Sequence, residues 1–335
     1  MSRVAVVGAG AWGTALANLL AGNGEDVLLW AFEPEVARQV EDEHVNAVYL
    51  AGVPLDSRLH ATSDLEAAVR GAAVVVSVSP SHVVRAVMGA AGAHMSPDAL
   101  VVSASKGIEN GTLMTMDQVL EDVLPGSIAR RASYLSGPSF AIEVAQGHPT
   151  AVTAASRVPE SAEQTQTLFQ GPSFRVYTTP DVRGVELGGS LKNVIAIAAG
   201  AAEGLGFGHN TRAALITRGL AEIARLGVAE GADPRTFAGL AGMGDLILTC
   251  TGALSRNRTV GMELGRGRPL DEVLGGMKAV AEGVRTAQSA HDLALKLEIE
   301  MPIVHAVHAI LFGGLPVRDA VELLMLRDPK PETWS

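Results

Sequence analysis

The 335-residue chain reads as an α/β N-terminal domain, with a mostly parallel sheet and helices on both faces, followed by an all-α C-terminal domain. Three observations predict this. In the first half, near-continuous apolar β-runs alternate with helical stretches, the pattern of parallel strands buried on both faces. After about Pro180 no convincing strand run remains. The length is that of about two domains. The division is placed between residues 1–184 and 185–335.

The elements follow in order. Arg3–Val7 (RVAVV) is a β-branched run, and Trp12–Ala21 is helical in pattern. Asp26–Trp30 (DVLLW) is a second strand. Pro34, suited to a first helical turn, opens a helix to about Glu43. Ala73–Ser79 is a buried strand, followed by a helix from about Ser81 to Ala91. Leu100–Ser105 (LVVSAS) is another strand, and Tyr134-Leu135 and Thr150–Ala155 (TAVTAA) are later ones. In the second half Val185–Ala202, Thr211–Leu226, Asp271–Val273, Thr286–Leu297 and Ile303–Phe312 suit helices. Glycines and Pro234, Pro269, Pro302 and Pro316 punctuate them. Gly188-Gly189 reads as a joint that permits motion between the two halves.

Composition narrows the function classes. Apolar residues make up 47% and charged residues 19%, as in ordinary globular proteins. Glycine, 37 residues, exceeds the usual share of about 7% and implies tight turns and close backbone approaches. The net charge of −10 argues against a broad grip on nucleic acid or anionic lipid. A local cationic pocket for a small anion stays open. One cysteine, Cys250, excludes an intrachain disulfide and a zinc site built on several thiolates, and fits a reducing, cytoplasmic compartment. Its apolar setting (LILTC) reads as a buried small hydrophobe rather than a nucleophile. No run approaches the roughly 20 apolar residues of a membrane span. The apolar run after Arg3 is broken by three glycines at set spacing, unlike a signal peptide. The nine histidines form no H-E-x-x-H motif. His305 and His308 are three apart with no evident carboxylate nearby, so no metal is expected.

Gly8-Ala9-Gly10-Ala11-Trp12-Gly13 is G-x-G-x-x-G, lying between a β-run and a helix as a Rossmann-like dinucleotide fold requires. The first glycine allows the tight turn, the second lets backbone approach a pyrophosphate, and the third packs helix on strand. The helix N-terminus supplies N–H groups and positive dipole to the phosphates. An acidic residue is expected about 20 positions on, at the ribose hydroxyls; Glu33 follows the second strand. A carboxylate suits NAD and repels the extra phosphate of NADP. No arginine adjoins it, since Phe32 stands there, so the cofactor is NAD or NADP with NAD favoured.

Polar residues in apolar surroundings mark the chemistry. Lys106 directly follows the LVVSAS strand, at the carboxyl end of a parallel sheet where open α/β sheets bind ligands; a solvated loop lysine is the alternative. Lys192 and Asn193 interrupt LGGSLKNVIAIAAGAA, a stretch apolar or small on nearly every face. Burial lowers a lysine's pKa and fits it for acid/base work; otherwise its stem packs while the amine reaches water. Asp245 precedes the Leu246–Leu248 run, either functional or a helix cap. Ser255-Arg256-Asn257-Arg258 concentrates hydrogen-bond donors as a phosphate requires, or is a polar turn.

These motifs together resemble the NAD(P)-dependent glycerol-3-phosphate dehydrogenase family of the bacterial type. The resembling segments are GAGAWGTALA at Gly8–Ala17, SASKGIE at Ser103–Glu109, LSGPSFAIEVAQGHPTA at Leu135–Ala151 and ELGGSLKNVIAIAAG at Glu186–Gly200. GFGHNTRAALITRGLAE at Gly206–Glu222, GLAGMGDLILTCTGALSRNR at Gly239–Arg258 and VAEGVRTA at Val280–Ala287 continue the series. The resemblance implies an oxidoreductase that transfers hydride reversibly between nicotinamide and the central carbon of glycerol 3-phosphate or dihydroxyacetone phosphate. It implies supply of glycerol 3-phosphate to phospholipid synthesis, and a homodimer. By motif position, Lys192 becomes the general acid/base, Lys106 lies near cofactor and substrate, and Asp245 joins the hydrogen-bonded catalytic group. Ser255, Arg256 and Asn257 fall at the substrate, chiefly its phosphate, beside Asn193, with Arg256 also near the cofactor. Gly137 and Ser139 line the site, Ala141 lies beside the nicotinamide, and Trp12, Ala11, Val280 and Glu282 contact cofactor. Family members often carry an arginine in an L-W-A-R-like segment; here Leu29-Trp30-Ala31-Phe32-Glu33 lacks it, which again favours NAD. Two other readings compete: a related hydroxyacid dehydrogenase, which would prefer a carboxylate-bearing substrate, and a non-enzymatic NAD-sensing protein, which would not need Lys192 and Asp245 together.

Overall fold

The computed structural model describes residues 3–277 and 281–332. The first half forms β1 (Arg3–Val7), α1 (Ala11–Gly22), β2 (Asp26–Trp30), α2 (Pro34–Glu43), β3 (Leu59–Thr62), α3 (Leu65–Val69), β4 (Val74–Ser77), α4 (Ser81–Gly92) and β5 (Leu100–Ser103). It continues through α5 (Met116–Val123), α6 (Gly126–Ala129), β6 (Ser133–Ser136), α7 (Ala141–Ala145), β7 (Thr150–Ala155), α8 (Pro159–Phe169) and β8 (Phe174–Thr179). Helices then take over: α9 (Val182–Gly204), α10 (His209–Ala229), α11 (Asp245–Thr251), α12 (Arg256–Gly265), α13 (Leu270–Gly275), α14 (Glu282–Lys296), α15 (Pro302–Phe312) and α16 (Val317–Met325).

Among the described residues eight strands make one sheet, in the order β3-β2-β1-β4-β5-β6-β7-β8. Side chains alternate across it, as strand geometry demands. Val4 and Val6 pack with Leu16, Leu20, Val40 and Phe169 on one face. Ala5 and Val7 pack with Val84, Met88, Val119 and Leu120 on the other. The strand order reverses at β1, between β2 and β4, and such switch points open crevices at the strands' carboxyl ends.

The structure bears out the mostly parallel sheet and adds detail that the apolar pattern does not carry. The sheet is parallel from β3 to β6, but β7 pairs antiparallel with β6. Apolar patterning sets which face is buried and is blind to strand direction. β3 and β8 were not expected at all. They are the two edge strands, half-exposed (LHAT, FRVYTT), so they lack the continuous apolar run of buried strands.

The helical half is built around α9, buried on nearly every face. Leu187, Leu191, Val194 and Ile195 share a core with Ile223, Leu246, Val260, Ala287 and Val304 of the surrounding helices. Close approach to α12 depends on small residues. A Cβ at Gly200 would lie 2.0 Å from the Arg258 carbonyl oxygen, and one at Gly261 2.0 Å from that of Ile197. Gly188 and Gly189 lie inside α9 rather than at a joint. A Cβ on them would come 2.7 Å from Ala241 O and Ser136 Oγ respectively, so they serve close packing.

Candidate active site

The loops leaving β1, β4 and β5 are tied together at the crevice. Ser79 Oγ donates to Val7 O at 3.1 Å, and Ser105 Oγ to Ser79 O at 2.7 Å. Gly107 N donates to Ser190 Oγ of α9 at 2.9 Å. Gly107 has φ +151, and a Cβ there would strike Ser81 Cβ at 2.5 Å. Lys106 is thus held between two anchored neighbours. It donates to Asp245 Oδ2 at 2.8 Å.

Lys192, on α9, is 7% exposed and Asp245, first residue of α11, 1% exposed. Lys192 Nζ donates to Asp245 Oδ1 in a short ion pair. One carboxylate therefore holds two ammonium groups from different halves of the chain. Burial lowers the Lys192 pKa to about 8, against the pull of Asp245, with Lys106 lowering it further. For Asp245, burial pushes the pKa up, but Lys106 and Lys192 together hold it below its usual value. Lys192 is paired rather than snorkelling. The Asp245 side chain caps no helix end; Gly244 holds the N-cap position.

Beside this pair, Asn257 Nδ2 donates to Asn193 Oδ1 at 2.9 Å and Asn257 Oδ1 accepts from Gly283 N at 2.9 Å. Ser255 caps α12, its Oγ accepting from Arg258 N. Arg256, next in line, is exposed. Glu282, half-buried at the start of α14, has its pKa raised by burial against the pull of Arg256; Ser81 N approaches its Oε1 at 3.4 Å. Just after β6, Gly137 has φ +150 and no room for a Cβ, which would lie 2.9 Å from Val152 Cα. Ser139 Oγ donates to Gly137 O at 3.0 Å, and Ala141 opens α7.

The glycine turn fits a dinucleotide. A Cβ at Gly8 would meet Ser79 N at 3.0 Å and one at Gly13 would meet Gly8 O at 1.8 Å, whereas one at Gly10 would meet nothing within 4 Å. The outer glycines are needed for the turn and for packing, and the middle one faces open space. α1, which carries Ala11 and Trp12, begins without a side-chain cap, leaving its N–H groups for a ligand. Trp12 Nε1 is buried with no partner among the described residues. Glu33 accepts from the Tyr49 hydroxyl at 2.8 Å, and Phe32 beside it is 78% exposed.

Comparison with known proteins places this geometry. Residues 3–162 match the family model described as NAD-dependent glycerol-3-phosphate dehydrogenase N-terminus, and residues 181–322 match that of the C-terminus. A glycerol-3-phosphate dehydrogenase (NAD(P)+) of Geobacter metallireducens is 59% identical over 330 residues, 98% of either chain. The chain belongs to the NAD-dependent glycerol-3-phosphate dehydrogenase family. A relative in Geobacter sulfurreducens is 58% identical over 99% of either chain. The crystal structure of glycerol-3-phosphate dehydrogenase from Coxiella burnetii has a TM-score of 0.92 at 39% identity, covering 97% of this chain and 99% of that one. D-mandelate dehydrogenase is 11% identical at a TM-score of 0.57 and shares the fold alone.

Of the residues expected from the family resemblance, hydrogen bonds join Lys106, Lys192 and Asp245 and pair Asn193 with Asn257, and Val280 lies outside the described residues. The structure adds three that sequence reasoning did not reach. Thr249 Oγ1 donates to Asp245 O at 2.6 Å; a helix over Asp245–Thr251 would have put the two on one face by their spacing of four. Ser190 and Tyr49 carry no sequence signal, because their partners are remote in the chain. Cys250 is fully buried, and burial pushes its thiol up to about 12, as its apolar setting implies. His305 and His308 meet a third histidine, His291; among the described residues no cluster fit to hold a metal occurs.

Proposed function

We propose that this chain catalyses the reversible, NAD(P)-dependent oxidation of sn-glycerol 3-phosphate to dihydroxyacetone phosphate. The observation that carries the reading is Asp245 gripping two lysines in a buried crevice beside a dinucleotide turn. Bound nicotinamide supplies or accepts the hydride at the central carbon. The chain moves the proton, balances charge and orients the substrate.

In reduction, negative charge grows on the oxygen of the central carbon, and Lys192 Nζ donates the proton. A pKa of about 8 keeps the group mostly protonated near neutral pH yet able to give the proton up, which is the range general acid/base catalysis requires. Two ammonium groups against one carboxylate leave net positive charge, preorganised for the developing oxyanion. In oxidation, neutral Lys192 takes the proton back. Arg256, with Ser255, Asn257 and Asn193, receives the phosphate, whose binding energy orients the reacting carbon. The NH2 group of Asn193 has no partner among the described residues and supplies a donor. We assign Gly137 and Ser139 to the lining of the site, Ala141 to the nicotinamide and Glu282 to the cofactor, with Arg256 near the cofactor as well as the phosphate. Glu33, with Phe32 in place of a cation, favours NAD.

We assign cofactor binding to residues 1–184 and substrate chemistry to 185–335, with Lys106 serving both. We also infer a cytoplasmic homodimer that supplies phospholipid synthesis, which sedimentation and metabolic labelling would check. The deciding experiment follows absorbance with dihydroxyacetone phosphate and NADH, then NADPH. Rapid oxidation of NADH is expected. Oxidation of NADPH alone would overturn the reading of Glu33, and oxidation of neither by protein that binds cofactor would overturn the reaction.

A further inference from the structure

The glycine turn is held by side chains outside its own motif. Asn46, in the segment after α2, is fully buried. Its Nδ2 donates to Ala9 O at 2.9 Å and to Thr14 Oγ1 at 2.8 Å, and Thr14 Oγ1 donates to the same Ala9 carbonyl at 3.2 Å. That carbonyl belongs to the peptide joining Ala9 to Gly10. A planar trans peptide points its C=O and N–H in opposite directions. Drawing the carbonyl in towards Asn46 therefore turns the Gly10 N–H away from the protein interior. Among the described residues no group accepts from that N–H.

Three residues on, the same segment reaches the ribose end. Tyr49 N donates to Asn46 Oδ1 at 3.0 Å, and the Tyr49 hydroxyl donates to Glu33 Oε1 at 2.8 Å. One short stretch thus grips both the phosphate turn and the acidic residue after β2.

We propose that Asn46 and Tyr49 are positioning residues that set dinucleotide affinity and discrimination separately. Asn46 orients the Gly10 N–H towards the pyrophosphate. Tyr49 holds one oxygen of Glu33 and so presents the other to the ribose hydroxyls. The proposal rests on reading the turn and Glu33 as cofactor subsites.

The test is equilibrium binding of NADH and NADPH by nucleotide fluorescence, and of ADP-ribose by calorimetry. Asn46→Asp replaces the two donors with a carboxylate facing Ala9 O. It should weaken all three ligands by one common factor of about tenfold, the value of a hydrogen bond to a charged or critical group. Tyr49→Phe should weaken NADH by about threefold to tenfold and NADPH much less, shrinking their ratio. In a Glu33→Ala background Tyr49→Phe should do nothing further. A merely structural role would lower the melting temperature without moving that ratio. If Asn46→Asp does not fold, near-isosteric Thr14→Val, which removes the other donor to Ala9 O, takes its place. Unchanged affinities in the folded turn variant, or an unmoved ratio in Tyr49→Phe while Glu33→Ala shifts it, overturn the brace. A Glu33→Ala protein with wild-type affinities overturns the cofactor subsite itself.

Discussion

Lys192→Met separates the chemistry of this site from its folding. Methionine keeps the length of the stem and removes the ammonium. Asp245 retains Lys106 at 2.8 Å, so the buried carboxylate is not left without a cation. Lys192 itself stands near pKa 8 rather than 10.5. At about 1.4 kcal/mol per pH unit, that gap means the folded protein spends about 3 kcal/mol keeping this lysine charged below pH 8. Replacing it with an apolar side chain should leave stability unchanged or raise it by at most that amount, as when buried ions give way to packed hydrophobes. Turnover should fall about 10²–10⁴-fold, or about 3–5 kcal/mol of barrier. The assays are NADH oxidation with dihydroxyacetone phosphate, NADH affinity, and urea unfolding at pH 7. Turnover within tenfold of wild type, as an order-of-magnitude criterion, would refute Lys192 as acid/base. A loss of several kcal/mol of stability would show it to be a structural cation instead.

The same titration fixes a pH profile: kcat/KM for reduction falls as pH rises through about 8, and that for oxidation rises, because one needs charged and the other neutral Lys192; both limbs vanish in Lys192→Met. Arg256→Ala should raise KM for dihydroxyacetone phosphate at least about tenfold while leaving phosphate-free dihydroxyacetone unaffected, since the lost bonds are to the phosphate. Gly261→Ala, which would set a Cβ 2.0 Å from Ile197 O, should destabilise by about 1–3 kcal/mol or more in thermal unfolding, by forcing α9 and α12 apart. Glu222, buried beneath the start of α15 and bonded to Ile303 N at 2.8 Å, has its pKa raised by burial to about 7. The native state then holds a proton that the unfolded chain releases near 4.5, so stability falls as pH rises from about 4.5 to 7; urea unfolding of Glu222→Gln should lack that slope.

Much of the candidate site was legible because its residues violate their surroundings. Lys192 and Asn193 stand out in an otherwise apolar helix, and the glycine spacing with Glu33 states its own geometry. The segments resembling the family named the rest. The edge strands were not legible, because half-exposed backbone needs no apolar run. Nor was the direction of β7, because burial patterning is the same for either sense.

By itself, then, the sequence determined the alternation of strands and helices, the buried character of α9, the dinucleotide turn and the chemical types gathered for the reaction. Each is a local property, set by side-chain periodicity or by what glycine permits. Tertiary structure alone decided that Asp245 takes Lys106 and Lys192 together, that Ser190 anchors the loop of Lys106, and that Asn46 reaches the glycine turn while Tyr49 reaches Glu33. These pairings join positions far apart in the chain. No local propensity encodes them; they exist because packing brings the elements together and excludes the water that would otherwise satisfy those groups.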